Sequence, residues 1–97
     1  MTNTIVDRKF LESVKINNGH VFKSKDGKSY CVKGAACVAL RLCGKDFMVK
    51  CNKLRINYPY FYNLLDSLEW KLLSPQDITP EEAKQRLISL FDKYFPS

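Results

Sequence analysis

Residues 35–54 read AACVALRLCGKDFMVKCNKL, and the fold of the whole chain turns on whether they are strands or helices. The first nine positions are apolar except for Arg41, so periodicity alone does not separate a buried strand from a buried helix. As a strand, Val38, Leu40 and Leu42 face one way and Cys37, Ala39 and Cys43 the other, the pattern of a central strand covered on both sides. As helices, Ala35 to Leu42 ends at a Gly44 cap, and Asp46 opens a second helix carrying Lys50, Lys53 and Arg55, which together make a helix-turn-helix.

Working outward, Gly19, Gly27, Gly34 and Gly44 fall at intervals of seven to ten residues and separate HVFKSK, KSYCVK, ACVALRLC and DFMVKCN. Short apolar runs between evenly spaced turn signals predict an antiparallel sheet. The reading favoured here is therefore α+β: an N-terminal helix, a four-stranded antiparallel meander and two C-terminal helices. The alternative is a β-hairpin followed by a helix-turn-helix, mostly α. Asp26-Gly27 suits a two-residue type I′ turn, which requires positive φ at both central positions. Such a turn pairs Lys25 with Lys28, Ser24 with Ser29, Lys23 with Tyr30, Phe22 with Cys31 and Val21 with Val32, placing three lysines and a tyrosine on one face. Like charges opposite each other destabilise a sheet slightly, so the lysines point to an anionic ligand rather than to folding.

Before this region, Val6, Phe10, Leu11 and Val14 recur at helical spacing across Ile5 to Ile16, and Asn17-Asn18-Gly19 ends the run. After it, Asn57-Tyr58-Pro59 opens a helix with Phe61, Leu64, Leu65 and Leu68 at i, i+3, i+4 and i+7. Trp70-Lys71-Leu72-Leu73 is its last turn or a short extended piece, stopped by Ser74-Pro75. Thr79-Pro80-Glu81-Glu82 combines a cap, a first-turn proline and a capping-box glutamate, and Leu87, Leu90, Phe91 and Tyr94 supply the buried stripe. The order helix, sheet, helix is similar to that of a double-stranded-RNA-binding domain, but Pro80-Glu81-Glu82 stands where that family has lysines, and no family is assigned.

Ninety-seven residues suit one domain, 1–97, with one core. The N-terminus lacks an apolar segment of signal-peptide length and no run approaches a membrane span, so a cytoplasmic protein with no membrane partner is expected. Charge is uneven: residues 1–55 hold twelve Lys/Arg against four Asp/Glu, and residues 56–97 four against six.

Cys31, Cys37, Cys43 and Cys51 invite a zinc site, but gaps of five, five and seven intervening residues lack the close pairs that zinc knuckles use. Core thiols are the reading, with no metal or other cofactor. His20 is the only histidine and no nucleophile or carboxylate is spaced around it in a known motif, so the chain is read as a non-enzyme. Tyr58, Tyr60 and Tyr62 around Phe61 suit either base stacking or a sheltered domain edge. The expected function is a binding module for nucleic acid or a ribonucleoprotein. Its site is Lys23, Lys25, Lys28, Tyr30 and Lys33, joined by Lys50, Lys53 and Arg55. The second expectation is a small protein-interaction subunit or phage-type inhibitor that occupies an acidic or nucleic-acid-binding surface on a larger machine.

Overall fold

Residues Val32–Ala39 form a helix, and it is the centre of the molecule. The structure is a computed structural model that describes residues 6–17, 24–74 and 77–96. Its elements in chain order are α1 (Arg8–Ser13), β1 (Lys15–Ile16), β2 (Ser29–Tyr30), α2 (Val32–Ala39), α3 (Phe47–Asn57), α4 (Pro59–Leu73) and α5 (Pro80–Tyr94). Helices α1, α3, α4 and α5 all pack against α2, and α4 also packs against α3 and α5.

The four-stranded meander is overturned, and the mostly helical alternative is the better account. VKGAACVA is apolar or small almost all round, which suits a helix buried on every side as well as it suits a central strand. Three alanines settle the preference for helix, and small side chains let four neighbours approach the axis closely. Val32, Gly34, Ala35, Ala36, Cys37 and Ala39 are all buried. Gly44 does not cap the helix. The chain leaves α2 through Arg41 at φ 56, with Arg41 N–H donating to Val38 O and Leu42 N–H to Cys37 O, both at 3.0 Å. That is a Schellman ending with arginine where glycine is usual. Gly44 instead permits close approach, since an added Cβ would fall 2.9 Å from Val49 Cγ1.

Strand structure among the described residues is confined to β1 and β2, which pair in parallel with Lys15 opposite Ser29 and Ile16 opposite Tyr30. The helix expected over 5–16 is cut to Arg8–Ser13 because Val14 turns extended, at φ −68 and ψ 146. Val14 and Ile16 are then buried with Lys15 exposed between them, a period of two. The turn after Ser24 is also not type I′. Gly27 has φ 73, but Asp26 lacks positive φ, and Gly27 N–H donates to Ser24 O at 2.9 Å. The glycine therefore follows the turn, giving a longer loop than two residues, though Ser24 N–H still reaches Ser29 O at 2.9 Å. The Lys23, Phe22 and Val21 pairings lie outside the described residues.

The C-terminal pair matches its sequence signals more closely. Thr79 Oγ1 accepts the Glu82 N–H at 3.2 Å, and Pro80 occupies the first turn of α5. In α4, Pro59 sits at the start as expected, but Tyr58 rather than Asn57 is the cap residue and makes no side-chain cap bond. Residues 70–73 are the last turn of α4. Phe61, Leu65, Leu68 and Leu72 are its buried face, whereas Leu64 of the expected α4 stripe and Tyr94 of the expected α5 stripe are exposed. Phe61 stands edge-on to Phe91 at 4.9 Å and to Phe95 at 5.1 Å between ring centroids. Arg8 anchors α1 to α5 by an ion pair with Asp92 and a 2.6 Å bond to Phe95 O.

Phe91→Ala removes a fully buried ring at this junction and is expected to cost about 3–5 kcal/mol, against about 1 kcal/mol for the cap loss in Thr79→Ala. Urea unfolding of both variants checks the ratio; equal small effects would mean that α5 does not share the α2 core.

Candidate nucleic-acid interface

Of the eight residues expected to bind, the seven that are described do not form one surface. Lys33 is withdrawn from it: its ammonium pairs with Asp66, lies 3.8 Å from Glu69 and stands 5.0 Å from the Tyr62 ring centroid, with the side chain only 16% exposed. Tyr30 is half-buried and its ring packs in a T-shaped arrangement with Phe10 at 5.2 Å. Lys23 lies outside the described residues, as does His20. Lys25 and Lys28 are exposed on the turn before β2. Lys53 and Arg55 are exposed on α3, with Lys50 half-buried on the same helix. The sheet that carries the turn packs against α2 and α5, whereas α3 packs against α2 and α4. The basic residues thus belong to two separate parts of the molecule.

Of the two, α3 is the built one. Asp46 caps it by accepting the Val49 N–H at 2.9 Å, and Leu54 is its one buried residue among the described set. A helix moored by so little leaves most of its circumference outward, including Met48, Asn52, Lys53, Arg55 and Ile56. Arg41 and Lys45, in the loop that enters α3, are exposed too and were missed by motif reasoning. A count of charge over 41–55 finds them: five cations against the single acid Asp46. Arg41, Lys45, Lys53 and Arg55 make no ion pair among the described residues. The α2–α3 connection, residues 40–46, is longer than a helix-turn-helix turn, and α2 is buried, so α3 and its entry loop are what face solvent.

The tyrosines separate likewise. Tyr58 packs edge-on against Phe95 at 5.1 Å, Tyr62 lies under the Lys33 ammonium, and Tyr60 is 80% exposed. The thiols divide by role. Cys37 is fully buried and held protonated by its hydrogen bond to Cys51 and by burial. Cys43 is exposed on the α2–α3 loop, so the core-thiol reading is corrected for it, and Cys51 is half-buried. Among the described residues no three His, Cys, Asp or Glu are placed to hold a metal ion.

Cys31 and Glu69 work together at the α2 N-terminus. Cys31 Sγ accepts the Gly34 N–H at 3.3 Å, and Glu69 Oε1 accepts the Lys33 N–H at 2.8 Å. Burial, with the nearby Glu69 charge, pushes the Cys31 thiol up to about 12. Burial by itself would lower the Lys33 pKa, but the hydrogen bond to Asp66 and the charges of Glu69, Tyr62 and Asp66 outweigh it and leave it above the usual lysine value.

No family model, curated protein or solved structure matches this chain. No helix of the described residues is long and apolar enough to cross a membrane.

The α2 cap has a pH signature. An unfolded cysteine ionises near pH 8.5 while Cys31 in the fold keeps its proton to about 12, so the unfolded state binds fewer protons in between and stability falls as pH rises through that window. Lys33, raised above the usual value, adds to the loss above about pH 10.4. Cys31→Ser keeps an acceptor for Gly34 N–H and is expected to flatten the decline between about pH 8.5 and 10 while leaving neutral stability near wild type. Glu69→Ala is expected to cost about 2–3 kcal/mol at pH 7 by removing a charged hydrogen-bond acceptor. Urea unfolding across pH measures both, and an unaltered alkaline slope in Cys31→Ser would count against the buried thiol.

Proposed function

We propose that the protein is a non-catalytic nucleic-acid-binding module that uses α3 and its entry loop. The observation that carries this reading is the set of exposed cations Arg41, Lys45, Lys53 and Arg55, none of them in an ion pair among the described residues, gathered around the single acid Asp46. Eleven residues of helix span about 16 Å, and a duplex major groove of about 12 Å width admits one helix. Lysines act as point charges on phosphate, and the two arginines add planar forks. Neutralisation of the backbone therefore dominates, with little base readout. Arg41 adds a second support: a non-glycine residue in the left-handed region costs about 1 kcal/mol or more, and such strain is concentrated at functional positions.

The test is a salt titration of binding to a mixed-sequence DNA duplex and to the matching single strand. Wild type is expected to bind both, and Lys53→Ala with Arg55→Ala to lower the slope of log K against log salt by about 0.9 per lost contact on duplex and about 0.7 on single strand. Lys25→Ala with Lys28→Ala, on the other part of the molecule, is expected to change the slope less. Arg41→Gly is expected to raise stability by about 0.5–1 kcal/mol while weakening binding, two effects of opposite sign. Absence of binding at low salt, or an unchanged slope in the α3 double variant, would reject the reading.

A further inference from the structure

We propose that the furrow between α4 and α5 is a docking site for an acidic amphipathic helix of a partner protein, a site distinct from α3. Leu64, Leu68 and Leu90 form its apolar floor, and Lys71, Arg86 and Lys93 its rim, with a volume of about 330 Å³. Ser67 and Ser89 complete the lining. Each helix contributes positions i, i+3, i+4 and i+7, so the furrow is straight and about two turns, or about 10 Å, long. That is the shape a helix-in-groove ligand requires, with anchors at the same spacing.

Charge selects the occupant. Residues 56–97 hold four cations, and three of them line this furrow. Three of the five acids of the same helices are engaged elsewhere, Asp66 and Glu69 with Lys33 and Asp92 with Arg8, and Glu81 lines a different hollow beside Val14, Lys15 and Lys84. Glu82 reaches Arg86 from one turn back at 4.0 Å, but both side chains are about half exposed and the pair is weak. Lys93 lies 5.4 Å over the Tyr94 ring and Lys71 makes no ion pair among the described residues. An apolar floor with three cations on its banks matches a helix with an apolar stripe flanked by Asp and Glu, and it repels a basic one. One turn beyond Leu64 and Leu90, Tyr60 is 80% and Tyr94 40% exposed, which lengthens the apolar surface toward the far end.

The probe is a synthetic amphipathic peptide of about four helical turns with leucines at i, i+3, i+4 and i+7 and glutamates on both flanks. A second peptide carries lysine in place of glutamate. In amide NMR titrations of the full chain, the acidic peptide is expected to shift Leu64, Ser67, Lys71, Ser89 and Leu90, and the basic one to leave them unmoved. Lys71→Glu, Arg86→Glu and Lys93→Glu together change only exposed side chains, so no core contact is lost, and urea unfolding of the variant checks that the fold is kept. This variant is expected to bind the acidic peptide at least about tenfold more weakly and to gain binding of the basic one. Equal binding of both peptides, shifts centred on α3, or displacement of the acidic peptide by a DNA duplex would overturn the proposal. So would a dimer in sedimentation that Leu64→Asp dissociates, which would assign the furrow to a second copy of the chain.

Discussion

The N-terminus of α2 is the constraint on which the structure rests. A helix places four N–H groups at its start that have no partner within it, and α2 begins where Cys31 and Val32 are 3% and 0% exposed. Burial there makes unpartnered N–H groups costly. The Cys31 sulfur takes one N–H and the Glu69 carboxylate, delivered from α4, takes another, which also sets a negative charge against the positive end of the helix dipole. A carboxylate so placed needs a counter-charge, and Lys33, on the same first turn, supplies it while reaching Asp66. One cluster thus caps the central helix and fixes α4 beside it.

Parts of this arrangement are legible in the sequence because their signals are local. Thr79-Pro80-Glu81-Glu82 starts α5, Asp46 starts α3, and the Phe61, Leu65, Leu68 spacing gives the buried face of α4, all within a turn or two of the residues involved. The segment 32–39 is not legible in that way. Its side chains are small and apolar on every side, so a period of two and a period of 3.6 describe it equally, and only the surrounding helices decide. Glycine spacing favoured strands there, yet Gly34 lies inside α2 and Gly44 serves close approach to Val49. The cap by Glu69 joins residues 36 apart and leaves no local mark at all.

The candidate site was legible in part for a related reason. Lys53 and Arg55 were found because cations on a helix facing solvent read the same from sequence as from structure. Tyr30 was mistaken for surface because a strand register put it on one face with Lys25 and Lys28, and Lys33 because it was read as the end of the same strand. As parts of the α2 first turn and of β2, they instead meet Glu69 and Phe10. A lysine stem lies along apolar surface as readily as in water, so residue type alone does not locate it.

Charge counted along the chain also misplaces charge in space. The N-terminal part is strongly basic and the C-terminal part mildly acidic, which suggests that one end attracts anions and the other does not. Folding pairs acids of the second part with cations of the first: Asp66 and Glu69 take Lys33, and Asp92 takes Arg8. Those ion pairs spend acids of α4 and α5 on faces turned toward α2 and α1. Of the four cations on the same two helices, Lys84 reaches back to Glu12 O at 2.6 Å, and the other three, Lys71, Arg86 and Lys93, line the furrow between α4 and α5, so the nominally acidic half presents a positive furrow. Because a charge at the surface acts over roughly a Debye length of about 8–10 Å, these local groupings, rather than the net sign of a segment, decide what each face attracts.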